Sequence, residues 1–217
     1  MIGARDSTEN FPGANGSVKV TVYLAMGTLS DLSGLAAYLA AELSRAKAHS
    51  MADTRGLDRR TAAARRAQWE LQKEQLRRSG QLFDSRRALV TAGLAHVITD
   101  RGWDQQHLPA VPGQFRGRWV GSVNIGFSEQ ISVDLPADLV NRARAGCYHY
   151  SRLATDALHK WHERNPRATP TRPNRPGCDP EEYAEYTRLT DLVLTPGAIW
   201  REAVKTGITM AQALSST

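Results

Sequence analysis

Between Gln130 and Trp161 the hydrophobic period of the chain changes from two to about 3.6 residues across a single proline, and no other feature constrains the fold as tightly. Ile131, Val133 and Leu135 alternate with Gln130, Ser132 and Asp134, so a strand here has one apolar and one polar face. Pro136 has no N–H for a ladder and a φ suited to a first helical turn, so it stops the strand and starts a helix. On that helix Leu139, Ala143 and Cys147 share a face. Gly146 to Tyr150 reads as a turn. Ser151 then suits the cap of a second helix, whose apolar side is Leu153, Ala154, Ala157, Leu158 and Trp161.

Strand, proline, helix, turn, Ser cap and second helix in this order resemble the ribbon-helix-helix family, the Arc, MetJ and CcdA-like antitoxins, in particular the CcdA-like branch with its Ser-x-Leu-Ala-x-x-Ala-Leu second helix. The resemblance covers residues 129 to 164 only. It implies a homodimer in which the strand pairs antiparallel with its twin, since a lone strand leaves backbone groups unpaired. Such a ribbon fits the DNA major groove. The resemblance places Gln130, Ser132 and Asp134 against base edges, and the amides near Tyr150, Ser151 and Arg152 on a phosphate. It departs from the family in carrying Asp134 where Arg or Lys is usual. An alternative pairs Ser122–Phe127 with Gln130–Leu135 as a hairpin across Ser128 and Glu129, giving an ordinary sheet with helices.

Upstream, Val18, Val20, Val22 and Leu24 alternate with Lys19, Thr21 and Tyr23, a second strand with one buried face. Leu32, Leu35, Ala36, Leu39 and Leu43 then recur at helical spacing to about Ala48, with Ser30 or Asp31 as the cap. Leu57 to Arg78 is rich in helix formers but has only Ala64, Trp69, Leu71 and Leu76 as sparse apolar positions, which predicts a highly exposed helix ended near Gly80. Leu82 to Thr99 makes another helix, on Leu89, Val90, Leu94, Ala95 and Val97.

The expected fold class is mostly α with a minor β component. Its expected parts are a flexible tail over 1–17, a strand plus a mainly helical basic region over 18–118, and the ribbon-helix-helix-like unit over 119–164. A Pro/Arg-rich linker over 165–179 and a C-terminal helical arm over 180–217 complete it. The glycines and prolines of 101–118 mark the first boundary, and five prolines between Asn165 and Pro180 mark the linker. Asp179 and Thr195 precede Pro180 and Pro196 and are expected to cap two short helices. By analogy with antitoxins, the last two helices would be a partner-binding arm.

Charge adds a partner. The chain carries 28 Lys plus Arg against 22 Asp plus Glu. Between Arg45 and Val90 there are twelve basic and five acidic residues, which accounts for the whole excess. Arg59, Arg60, Arg65, Arg66, Arg77 and Arg78 in the exposed helix suit the tracking of a phosphate backbone. A solvated face with Glu70 and Glu74 as helix partners accounts for them equally well.

Cys147, His149, His159 and His162 superficially resemble a metal set, but His159 and His162 fall on the exposed side of the second helix, and no metal or other cofactor is expected. Gly-x-x-x-x-Gly-Lys-Ser/Thr, Gly-x-Gly-x-x-Gly, Gly-x-Ser-x-Gly and His-Glu-x-x-His are missing, so no catalytic residue is assigned and an enzyme is not expected. With only Cys147 and Cys178 there is no disulfide framework, and no apolar run reaches the ~20 residues of a transmembrane helix. Those two facts imply a cytoplasmic protein without a membrane partner. The expected function is a dimeric, sequence-specific DNA-binding regulator of transcriptional-repressor or antitoxin type. The alternative is an assembly or accessory protein that coats nucleic acid through helix 57–78 and reads no sequence.

Overall fold

The computed structural model describes residues 16–52, 56–78, 82–112, 126–165 and 179–215. Within them the chain is mostly helical with one small antiparallel sheet. The order is β1 (Ser17–Leu24), α1 (Thr28–Ala52), α2 (Arg59–Arg78), α3 (Arg86–Asp100), β2 (Glu129–Pro136), α4 (Ala137–Arg164), α5 (Pro180–Asp191) and α6 (Pro196–Ser215). None of these helices is long and apolar enough to cross a membrane.

Both alternating segments are strands, and each finds its partner in the other. β1 and β2 run antiparallel with Val20 opposite Val133 and Val22 opposite Ile131. Their inner faces, Val20, Val22, Leu24, Ile131, Val133 and Leu135, are buried in the main core. That core also takes Leu32 from α1, Leu89 and Leu94 from α3, Ala143 and Cys147 from α4, and Ile199 and Val204 from α6. One cluster therefore draws on residues from both sides of the 101–118 stretch. Residues 113–125, with most of the alternative hairpin strand Ser122–Phe127, lie outside the described residues, as do the tail over 1–15 and the linker over 166–178.

Two expectations about the helices after β2 are corrected. The first is the turn at Gly146 to Tyr150, because α4 is one continuous helix of 28 residues. Val140, Ala143, Cys147, Ser151, Thr155 and Leu158 are all buried, at steps of three and four, so a single seam runs through the expected turn without losing register. Gly146 serves packing. A Cβ there would lie 2.4 Å from the Trp103 ring, so the indole needs a residue with no side chain. Leu153, expected on the apolar side, lies off the seam and is exposed.

The second correction concerns α6, expected as a short helix of a C-terminal arm, which is 20 residues long and contributes to the main core. Ile199, Ala203, Val204 and Ala211 are fully buried at helical spacing, and α6 packs along α3 more extensively than any other pair of described helices. Asp179 does cap α5, accepting from the Glu181 amide at 2.9 Å, and Thr195 Oγ1 accepts from the Ala198 amide at 3.2 Å. A satellite cluster of Leu158, Trp161 and Leu189 joins the end of α4 to α5. There Trp161 Nε1 donates to the Glu182 carbonyl at 3.1 Å.

Helix α1 begins earlier than its expected caps. Ser30 and Asp31 sit in its first turn, and the cap comes from a distance: the two carboxylate oxygens of Glu129 accept from the Gly27 amide at 2.9 Å and the Leu29 amide at 2.8 Å. Gly27 has φ +86°, a conformation that costs a residue with a Cβ.

Candidate nucleic-acid interface

Helix α2 is the basic element the sequence predicts, and it is solvated as predicted. It contains six Arg and Lys73 against Glu70 and Glu74. Arg59, Arg60 and Arg66 are exposed and Arg65 is half-buried; the side chains at 77 and 78 lie outside the described residues. None of the described α2 side chains is fully buried, and Ala62, Arg65, Trp69, Lys73 and Leu76 form a half-buried seam at helical spacing. Leu71, on the opposite side, is 66% exposed. A helix with so little packing depends on its own propensity and on its cap. Asp58 supplies the cap, accepting from the Arg60 amide at 2.9 Å, the Thr61 amide at 3.0 Å and the Thr61 hydroxyl at 2.5 Å. The Thr61 hydroxyl, and after it the Thr61 amide, hold the Asp58 carboxyl below the usual range. Lys73 Nζ is 3.9 Å from Asp84, at the foot of the helix.

The second surface is the outer face of the ribbon. Gln130, Ser132 and Asp134 are all exposed there. They face Tyr23, Thr21 and Lys19 of β1, and the Thr21 and Ser132 hydroxyls are 3.2 Å apart. β2 is thus not the lone strand that the resemblance assumes, because one of its edges pairs with β1 inside the chain. β1, whose eight residues match it in length, satisfies that one edge. The sequence contains both strands but no local mark of their pairing, because the partners are separated by more than a hundred positions.

The expected phosphate site at Tyr150, Ser151 and Arg152 is also corrected. Those residues lie in the middle of α4, where backbone amides are already bonded to carbonyls one turn back. Ser151 is fully buried: its hydroxyl accepts from the Leu194 amide at 2.8 Å and donates to the Leu194 carbonyl at 3.2 Å. Tyr150 donates to Gln106 Oε1 at 3.2 Å, and Arg152 is exposed.

Cys147 is buried, and burial pushes its thiol far up from the ordinary value, so it is a packing residue. His162 stands edge-on to Trp161, with ring centroids 5.2 Å apart, and burial first, then His159, lowers its pKa.

Two concave regions accompany these faces. A 620 Å³ cleft lies between residues 106–111 and the start of α4. Arg142 on its wall is engaged by the Trp103 carbonyl at 2.7 Å and by those of Asp104 and Gln106 at 3.3 Å. A 280 Å³ pocket lies between the end of β1 and α6. Nothing in the local pattern around Arg201, Lys205 or Phe127 pointed to this pocket, since its walls come from three distant segments.

Comparison with family models, with curated proteins and with solved structures finds no match to this chain.

Proposed function

We propose that this chain binds nucleic acid through α2, by phosphate contacts that read no sequence, as an assembly or accessory protein of the DNA it coats. The observation that carries this reading is a solvated helix with Arg59, Arg60 and Arg66 open to water and a net positive charge along its length. Lys and Arg that neutralise phosphates release condensed counterions, so such a helix gains affinity from any duplex. Glu70 and Glu74 reduce the charge without reversing it.

The test is fluorescence anisotropy with two duplexes of equal length and unrelated sequence, over a salt series. The two affinities should agree and should fall together as salt rises. Replacing Arg59, Arg60, Arg65 and Arg66 by Gln should weaken both duplexes alike and flatten the salt dependence by about one unit of log–log slope for each phosphate no longer neutralised. No binding at low salt, or binding unchanged by the fourfold substitution, overturns the reading.

A second reading has its own support in the ribbon's outer face. Gln130, Ser132 and Asp134, the residues expected against base edges, stand exposed together on an antiparallel pair of strands, the element that enters a major groove. On this reading the protein is a sequence-specific DNA-binding regulator whose ribbon is built within one chain, and a homodimer is needed only to read paired half-sites. Asp134 opposite Lys19 leaves the face nearly neutral, which disfavours close approach to phosphates and ranks this reading below the first.

A further inference from the structure

The 280 Å³ pocket is walled by Leu24, Phe127 and Ala198 and edged by Thr28, Arg201 and Lys205. Arg201 lies over the Phe127 ring, its guanidinium carbon 4.1 Å from the centroid. It is half-buried, and that burial lowers its pKa from the ordinary arginine value. A cation removed from water normally takes a carboxylate partner. Glu202, next in the chain and also at the pocket, is instead held by Arg101 at 2.7 Å. Among the described residues no acid lies within ion-pair distance of Arg201. Lys205 follows four positions later on the same side of α6, so two cationic side chains line one small space whose lining carboxylate, Glu202, is already paired with Arg101.

We propose that this pocket is a binding site for a phosphate monoester, with the dianionic group between Arg201 and Lys205, the Thr28 hydroxyl beside it, and the ester's organic part against Leu24 and Ala198. The charge matches: a phosphate monoester carries roughly −1.5 to −2 near neutral pH, against two cations. A planar guanidinium stacked on a ring is held in place and presents its donors to such a group. The size fits a small group, since the volume lies just below the roughly 300–1,000 Å³ of ligand pockets, room for one group and not for an extended chain. The proposal is independent of the role of α2. The ester has two possible sources, a free phosphorylated small molecule or the terminal phosphate of a nucleic-acid strand.

The test is titration calorimetry at low salt with adenosine 5′-monophosphate, adenosine and inorganic phosphate. The monophosphate and inorganic phosphate should bind and adenosine should not. Arg201→Gln and Lys205→Gln should each weaken the monophosphate about tenfold, the effect of removing one charge-assisted hydrogen bond, whereas Lys160→Gln, at an exposed position of α4, should leave it unchanged. Lys205 is exposed, so its variant keeps the test valid if Arg201→Gln does not fold. Equal binding of adenosine and its monophosphate, no binding of either phosphate, or weakening by Lys160→Gln as strong as by Lys205→Gln overturns the proposal. Given binding, a single-stranded oligonucleotide with and without a 5′-phosphate separates the sources. Tighter binding of the phosphorylated strand, its advantage reduced about tenfold in Lys205→Gln, identifies a strand end, and no difference identifies a free ester.

Discussion

Gly93 on α3 and Gly207 on α6 lie backbone against backbone, so closely that a Cβ built on Gly93 would stand 2.0 Å from the Ala203 carbonyl oxygen and 2.7 Å from the Gly207 nitrogen. The relation is mutual, since a Cβ on Gly207 would stand 2.3 Å from the Leu89 carbonyl oxygen. The atoms in the way are backbone, and they move only if the helices separate. The burial of Leu89, Leu94, Ile199 and Val204 around this crossing requires that close approach.

Gly93→Ala should therefore destabilise the fold by about 3 kcal/mol, the upper end of overpacking costs, despite the better helix propensity of alanine. Gly34 is the control. It lies within α1, and a Cβ added there meets nothing inside 4 Å, so Gly34→Ala should stabilise by up to about 1 kcal/mol. Urea unfolding of the two variants checks this, and a Gly93→Ala protein as stable as Gly34→Ala would show that the helices do not meet here.

Glu129 links the start of β2 to the start of α1, and its two amide bonds hold its carboxyl below the usual range, the Leu29 amide contributing most and the Gly27 amide next. The folded state favours the ionised form. The stability this adds is thus fully present above the unfolded glutamate pKa near 4.5 and is lost as pH falls through the lower folded value. Wild type should be more stable than Glu129→Gln at neutral pH, and the gap should close below that range. Chemical denaturation of both proteins from pH 7 to pH 3 measures it. Asp58 titrates in the same direction but is common to both proteins and drops out of the difference. A gap constant with pH would mean that the carboxylate charge is not what caps α1.

Ser151 ties the middle of α4 to the segment before α6 by bonding both backbone groups of Leu194. Ser151→Ala leaves that amide and carbonyl without their partner in a part-buried setting, at a cost of about 1–3 kcal/mol. Because Ser151 is buried, the variant should bind DNA as wild type does wherever it is folded. Thermal unfolding and anisotropy together test this. A stable Ser151→Ala protein with weakened DNA binding would restore a phosphate site at this position.

What the sequence makes legible follows from what is local. The period-two alternation at Val18–Leu24 and Ile131–Leu135 gives both strands, and the sparse apolar content of Arg59–Arg78 gives the exposure of α2. Gly146 and Ser151 mislead because a glycine and a serine have two uses each. A glycine breaks a helix or admits a ring such as Trp103, and a serine caps a helix or bonds a neighbouring backbone such as that of Leu194. The unbroken spacing of Val140, Ala143, Cys147, Thr155 and Leu158 is the signal that decides between them. The β1–β2 pairing, the Glu129 cap and the Arg201 pocket have no such signal, because each joins segments separated by tens of residues or more.

The ribbon face distinguishes the two readings of function. If α2 supplies the affinity, Gln130→Ala and Ser132→Ala should leave the ranking of DNA sequences unchanged, since neither residue contacts the core and both point to solvent. Each loss should be within about 0.5 kcal/mol in stability, as for exposed positions without a special role, although Ser132→Ala also removes the hydroxyl bond to Thr21. Selection of bound fragments from a random-sequence duplex pool, wild type against the double variant, is the measurement. Unenriched pools from both proteins fit phosphate binding by α2. A motif selected by wild type and absent from the double variant's pool would make the in-chain ribbon a groove reader, because a base-edge contact of one bidentate pair discriminates by about 1–3 kcal/mol and a solvated arginine helix by none.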